Sequence, residues 1–387
     1  MESPMLVPRL REFGTTIFAE MSALAVETNS INLGQGFPDT DGPPQILQAA
    51  VDAIGSGQNQ YPPGPGVPAL RQAVSRHQQR CYGLEYDPDS EVLVTAGATE
   101  AIAASLLACC DTGDEVVVFE PYYDSYTAAV AMAGATRRVV TLERNGTGWG
   151  FDPAALAGAT GPRTRAIILN SPHNPTGHVF GPDELRAVAE LATAHDLVVI
   201  SDEVYEHLTF DGVHHVPIAT LPGMRDRTIT IGSAGKTFSV TGWKVGWACA
   251  PPQLLGPVRT VKQFLTYVNG APFQPAVAAV LDDAENLAPR VELEAQRDLL
   301  CAGLTGLGFD VVVPQATYFA TVDVGRDAVG FCRELPARAG VVAIPSSVFY
   351  DSGAGDRFVR FAFCKRPSVL EDAVSRIAAS GLSGGRR

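Results

Sequence analysis

Two of the four lysines in the chain, Lys236 and Lys244, stand eight residues apart in one small-residue stretch, GSAGKTFSVTGWKVGW (232–247). The stretch follows a β-branched run from Thr228 to Ile231 that reads as a strand. It then passes through Gly232, Ser233, Ala234 and Gly235 to deliver Lys236. A lysine set among small and apolar residues loses hydration. That favours the free amine, the nucleophile of Schiff-base chemistry with an aldehyde cofactor. A surface lysine after a turn is the plain alternative, and the local sequence leaves both open.

Other reactive groups also fall where apolar strands end. Asp202 closes the run Leu197 to Ser201, a place where a carboxylate without a cationic partner is expensive to bury. A protonated pyridine nitrogen would be such a partner. Gly97, Ala98 and Thr99 follow a short strand, Val92 to Thr95, and open an apolar helix. Their free N–H groups and the Thr99 hydroxyl suit a phosphate, to which Ser233 and Lys244 could add a hydroxyl and a charge. Asn174 and Tyr205 could bond a phenolic oxygen, and Tyr123 could stack on a ring face. Singly, each has a simpler reading: Asp202 as a helix cap, Asn174 as a turn residue, Tyr123 as core. Jointly they cover aldehyde, phosphate, ring nitrogen, phenolic oxygen and ring face. The cofactor with those needs is pyridoxal 5′-phosphate.

The elements that must position these groups follow one pattern. From Glu91, apolar strands alternate with helices: strands at 92–95, 115–119, 138–142, 166–170, 197–201, 228–231 and 246–250. This predicts an α/β fold, a large mostly parallel sheet with helices on both faces. In such sheets ligands bind beyond the carboxyl ends of the strands, where these polar clusters lie. Residues 1–30 read as a helical arm, and 43–55 and 67–82 as helices. After about residue 285 a charged helix (roughly 287–306) leads to strands at 310–313, 318–324, 341–344 and 358–363, a helix near 328–339 and a last helix from about Pro367. The expected division is an N-terminal arm (1–42) packing with a smaller α/β domain (286–387), and a large cofactor-binding domain (43–285).

Composition narrows the class. A chain of 387 residues with 46% hydrophobic content can bury a large core. The net charge of −13 argues against nucleic acid as a partner. Seven cysteines are scattered with no CxxC, so a reducing compartment is expected. The longest apolar run, Ala101 to Cys110, falls short of the roughly 20 residues of a spanning helix, and no signal-peptide core precedes the arm. A soluble, cytoplasmic protein without a membrane partner is expected. The histidines show no ligand spacing, and no metal is expected.

The segments NLGQGFPD (32–39), NQYPPGPG (59–66), EPYYDSY (120–126), NSPHNPTG (170–177), SDEVYEHL (201–208), the lysine stretch and VRFAFCK (359–365) together resemble the fold-type I, class I/II pyridoxal-phosphate-dependent aminotransferases over nearly the whole length. The lysine stretch and NLGQGFPD look like the kynurenine–oxoglutarate and glutamine–phenylpyruvate transaminase and cysteine-conjugate β-lyase branch. NQYPPGPG, GATEA (97–101) and APFQP (271–275) are closer to N-succinyldiaminopimelate aminotransferases. The resemblance implies roles residue by residue. Lys236, Asp202 and Tyr205 would be catalytic: Lys236 as Schiff-base lysine and proton carrier, Asp202 paired with the ring nitrogen. Tyr205 and Asn174 would hold the phenolic oxygen. Gly97, Ala98, Thr99, Ser233 and Lys244 would surround the phosphate, with Tyr123 on the ring. Arg360 would clamp the substrate α-carboxylate as a bidentate pair, beside Gly36, Asn174 and the aromatic Phe18. Tyr61 would reach the phosphate of a neighbouring subunit and Tyr267 its pocket, which implies a homodimer with shared sites.

The resemblance also implies the reaction: an amino acid gives its amine to the cofactor, and a 2-oxo acid, 2-oxoglutarate or pyruvate, takes it away in a second, ping-pong half-reaction. Two alternatives stay open at this point. A β-eliminating C–S lyase needs the same lysine. A non-catalytic sensor of the same fold carries an appended DNA-binding domain, for which the roughly thirty residues before NLGQGFPD are too few. Thr99 departs from the kynurenine-processing members, which carry an aromatic there. That weakens an aromatic substrate.

Overall fold

The computed structural model describes residues 7–14, 16–146, 148–283, 287 and 291–384. Its main feature is a seven-stranded sheet. Across the sheet the strands run Val92–Thr95, Gly246–Cys249, Thr228–Ser233, Val198–Asp202, Thr164–Asn170, Glu115–Glu120 and Thr136–Thr141. Gly246–Cys249 is antiparallel to both its neighbours, and the other pairs are parallel. Helices Gly97–Cys109, Asp124–Met132 and Pro182–Ala194 make the crossovers. Burial on both faces explains the strand composition. Every residue of Thr228–Ser233 is buried, with Ile229 and Ile231 in the apolar layer beneath helix Gly97–Cys109. Each such side chain contributes roughly 1.5–3 kcal/mol on leaving water.

The small residues that end this strand have a packing reason. Gly232 lies opposite Trp247 across the antiparallel pair. A Cβ there would collide with the Trp247 indole, which is fully buried. The chain must therefore turn from β-branched to small residues just where the lysine follows.

A second sheet orders Asp310–Val312, Phe319–Asp323, Phe358–Ala362 and Ile344–Pro345, all antiparallel. The Val341–Ile344 strand expected from sequence is two short pieces: Val341–Val342 pairs in parallel with Ile31–Asn32, and Ile344–Pro345 joins the sheet. Helix Ile17–Glu27 places Met21 and Ala25 in the same apolar core as this sheet, together with Tyr205 and Leu208. The start of the charged helix, near residue 287, and the 285/286 boundary fall at or beyond the edge of the described residues; the helix is seen from Val291 to Gly306. A short hairpin (Glu143–Asn145 with Gly148–Gly150) and helices Pro153–Ala159, Pro252–Leu265 and Phe273–Leu281 lie where the sequence suggested no element.

Candidate functional site

Parallel register brings the strand ends side by side. Asn170 is level with Asp202, and Asp202 with Ile231, two residues before Ser233. Just beyond them is a cavity of about 360 Å³. Phe18, Gly36, Gly97, Ala98, Thr99, Tyr123, Asn174, Asp202, Tyr205, Ser233, Lys236, Lys244 and Arg360 all line it. Thirteen residues drawn from the whole length of the chain thus meet in one place. The candidates outside it are Tyr61 and Tyr267, whose rings meet edge-on 5.6 Å apart at the surface.

At one end of the cavity lies an anion cradle. Helix Gly97–Cys109 begins with no side-chain cap, so its first N–H groups face the cavity uncovered. Gly97 adopts φ +74°, and a Cβ there would sit 3.1 Å from Lys244 Nζ. Lys244 is itself held in the left-handed region, φ 53°, a conformation unusual for a side-chain-bearing residue and found at functional turns. The ammonium is thereby brought to the positive end of a helix. Burial and Lys236 both depress its pKa. A doubly negative phosphate would relieve both.

Asp202 occupies the floor. Its carboxyl is buried and is pushed up to about 6 by desolvation, against the opposing pull of the Tyr126 hydroxyl, the Val204 N–H and the Lys236 charge. Tyr126 donates to Oδ2 at 2.5 Å. A cation at the other carboxylate oxygen is what this environment lacks, and a pyridinium nitrogen would supply it. Asn170, two strands' width from Lys236, donates to the Asp202 carbonyl at 2.9 Å and accepts from the Asn174 N–H at 2.8 Å, which sets the turn carrying Asn174. Lys236 Nζ donates to the Tyr318 hydroxyl at 2.9 Å, and that hydroxyl donates to the Gly36 carbonyl at 2.6 Å. The buried Tyr205 ring lies edge-on to Tyr318, with centroids 5.3 Å apart.

At the far end Arg360 is 2% exposed and meets no carboxylate within salt-bridge range among the described residues. Its Nη2 donates to the Gly34 carbonyl at 2.9 Å and its Nη1 to Asn174 Oδ1 at 3.3 Å. Its Nε is buried without a partner. The rings of Phe319, Phe349 and Phe18 lie 4.0, 5.0 and 5.1 Å from the guanidinium. Burial lowers its pKa to about 10. A planar cation kept dry beside a cavity is prepared for a carboxylate.

Three groups escaped the sequence reading: Tyr126, Asn170 and Tyr318. Tyr126 had a signal. It closes the segment EPYYDSY three residues after Tyr123, which precedes helix Asp124–Met132, and the two rings meet edge-on 5.7 Å apart. His173, beside Asn174, does not line the cavity. It is buried, bonded to Thr176 Oγ1 at 2.8 Å, and burial lowers its pKa to about 3, so it is a neutral core histidine.

Residues 28–377 match the family model for aminotransferases of class I and II. The chain is a class I and II aminotransferase. Over 97% of its length it is 54% identical to a Mycobacterium tuberculosis protein described as a probable N-succinyldiaminopimelate aminotransferase, covering 98% of that protein. A solved structure of N-succinyldiaminopimelate aminotransferase from the same organism superposes with a TM-score of 0.95, at 55% identity, over 97% of this chain and 100% of that one. The methionine aminotransferase of Escherichia coli is 38% identical over 97% of the chain and 99% of its own. The aminotransferase fold is thus of fold type I and pyridoxal-phosphate-dependent. The guanidinium without a carboxylate, the cation-seeking carboxyl and the uncapped helix beside Lys244 fit that cofactor and an amino-acid substrate.

Proposed function

We propose that this aminotransferase takes its amine from N-succinyl-LL-diaminopimelate and passes it to 2-oxoglutarate, working as a cytoplasmic homodimer. The donor rests on the 54% identity, spread over nearly the full length, to the Mycobacterium tuberculosis relative. Thr99 in the cavity, where an aromatic would narrow it, leaves room for a long polar side chain.

Bound pyridoxal phosphate supplies an electron sink for the pair left behind when the Cα–H bond of the substrate breaks. The chain's residues do the rest. Arg360 holds the α-carboxylate through two parallel N–H bonds, and Phe18 and Phe319 keep water from that pair. Held there, the substrate presents its Cα–H to Lys236 Nζ, which takes the proton and would return it to the carbon on the far side of the amine nitrogen, two bonds away. Tyr318, hydrogen-bonded to Nζ, aims the amine. Asp202 keeps a proton at the ring nitrogen, and Tyr126 keeps Asp202 in place. Asn174 and Tyr205 hold the phenolic oxygen. Gly97, Ala98, Thr99, Ser233 and Lys244 anchor the phosphate, with Tyr123 against the ring.

The dimer reading has its own support. Tyr61 is 81% exposed and meets the exposed Tyr267 edge-on, and Phe264 and Leu265, just before Tyr267 in the chain, are exposed as well. Lys262 fixes this arrangement by donating to the Gly64 and Tyr267 carbonyls at 3.0 and 2.6 Å. Exposed aromatics held this firmly suit a second copy of the chain. The arm (1–42), the large unit (43–285) and the small unit (286–387) are the division proposed. All seven cysteines are free, in keeping with a reducing compartment, and no described helix is long and apolar enough to cross a membrane.

A donor series tests the substrate. N-succinyl-LL-diaminopimelate, methionine and kynurenine would each be assayed with 2-oxoglutarate for kcat/KM. The succinylated donor should lead by tenfold or more, about 1.4 kcal/mol of extra transition-state binding. A lead by methionine or kynurenine would overturn the assignment.

A further inference from the structure

A second cluster of chemically able side chains lies apart from the cavity and takes no part in the reaction. His77 and Cys81 are four residues apart on helix Pro68–Tyr82, hence on one face. The fold brings His207, two residues beyond Tyr205, against them. The His77 and His207 Nε2 atoms are 2.8 Å apart. The ligating atoms of His77, Cys81 and His207 all lie within 4.8 Å of one another. A fourth group completes the ring: Glu206 Oε2 is 3.9 Å from the Nε2 of each histidine, and the Tyr82 hydroxyl donates to that oxygen at 2.6 Å.

We propose that His77, Cys81, His207 and Glu206 form a binding site for a zinc-like divalent cation. The donor set of two imidazoles, one thiolate and one carboxylate suits a borderline-soft ion and not magnesium or calcium. The geometry is near what zinc requires. Bonds of about 2.0–2.3 Å in a tetrahedron set ligand atoms roughly 3.4–3.6 Å apart. The two imidazole nitrogens, 2.8 Å apart, therefore part by about half an ångström, and the thiolate, within 4.8 Å of both, closes by about one at most. A direct hydrogen bond between the histidines uses one proton and one lone pair; an ion uses the lone pairs of both.

The surroundings fit as well. His77 is fully buried, and its other nitrogen, Nδ1, is 3.4 Å from the side-chain amide of Gln78. The oxygen of that amide is buried without a partner. Turning the amide end for end gives this oxygen the Nδ1–H as a donor, which fixes the tautomer with a free Nε2, the form a metal ligand needs. Cys81 is exposed and His207 half-buried, so an ion has a path from solvent. Once bound, it ties helix Pro68–Tyr82 to the segment that runs from Asp202 through Tyr205. The site would act as a clip behind the cofactor floor.

The experiment uses holoenzyme treated with chelator, dialysed, and titrated separately with zinc and cobalt(II). One zinc per chain should bind, and cobalt should give tetrahedral d–d bands with a thiolate charge-transfer band. Cys81→Ser should abolish the charge-transfer band, and Cys81→Ser and His207→Gln should each weaken zinc by about tenfold or more. Zinc should raise the Tm of the wild type and leave that of the double variant unmoved. Retained transamination by both variants shows that they are folded, since neither residue touches the reaction site. Failure to bind one zinc per chain, or a cobalt spectrum unchanged in Cys81→Ser, would overturn the proposal.

Discussion

Arg360→Met separates two accounts of the buried guanidinium. If Arg360 holds a substrate carboxylate, the substitution removes two charge-assisted hydrogen bonds, each worth about 1.5–3 kcal/mol. That predicts a fall in kcat/KM of about 10²- to 10⁴-fold, with most of it in KM if the contact is equally good in ground and transition states. Stability should move differently. The group is fully buried, and its pKa is lowered to about 10 from 12.5 mainly by desolvation. A depression of that size corresponds to a burial cost on the order of 3 kcal/mol for the charge. Methionine keeps the apolar stem among Phe18, Phe319 and Phe349 and removes the charge, leaving the Gly34 carbonyl without its donor. That loss, about 1–3 kcal/mol, roughly offsets the relief. The Tm of the substrate-free variant should therefore stay within a few degrees of wild type while activity collapses. The assays are steady-state kinetics on the preferred donor and calorimetry without substrate. A Tm lowered by ten degrees or so, about 3 kcal/mol or more at this size, with KM unchanged, would refute the clamp and make Arg360 structural.

Lys236→Ala should abolish turnover yet still bind cofactor, because the phosphate and ring contacts remain; turnover near the wild-type rate would exclude Lys236 as the proton carrier. Asp202 makes a pH prediction for the cofactor-free enzyme. Its folded pKa of about 6 lies above the ordinary 3.8, so the native state binds the extra proton and stability falls as pH rises from about 4 to about 6. The full effect is at most roughly 3 kcal/mol. Asp202→Asn should flatten that part of the Tm profile, and a parallel profile in the variant would show that Asp202 is not so perturbed. Tyr126→Phe removes the hydroxyl donated to Asp202 and should weaken cofactor binding by about 10- to 150-fold, the worth of one hydrogen bond to a charged group. An unaltered cofactor dissociation constant would remove Tyr126 from the site.

What was legible in the sequence was local. The run Thr228 to Ile231 is buried on both faces, so its composition announced a strand, and the small residues after it announced the turn to Lys236. The phosphate cradle was legible for the same reason, since Gly97, Ala98 and Thr99 are consecutive at a helix start. Tyr318 was not, because its bond to Lys236 spans 82 residues and depends on how the four-stranded sheet meets the larger one. The bond from Tyr126 to Asp202 spans 76. Helix Pro252–Leu265 was hidden by Pro252, Gly256 and Pro257, which read as breakers. It forms because Leu255 and Val258 pack into the core shared with helix Gly97–Cys109, and burial outweighs propensity. His77 and Cys81 showed no ligand spacing in the sequence, because the group that completes their cluster, His207, lies 130 residues from His77.

We propose that this site moves an amine and does not eliminate a leaving group. The most direct measurement is a single turnover with enzyme in excess over one donor, following the cofactor spectrum and identifying every product. Amine transfer should convert the cofactor to its pyridoxamine form, give one keto acid for each cofactor converted, and release no ammonia. Release of pyruvate and ammonia from a cysteine conjugate, with the cofactor spectrum restored unchanged and no keto acid from any other donor, would contradict it.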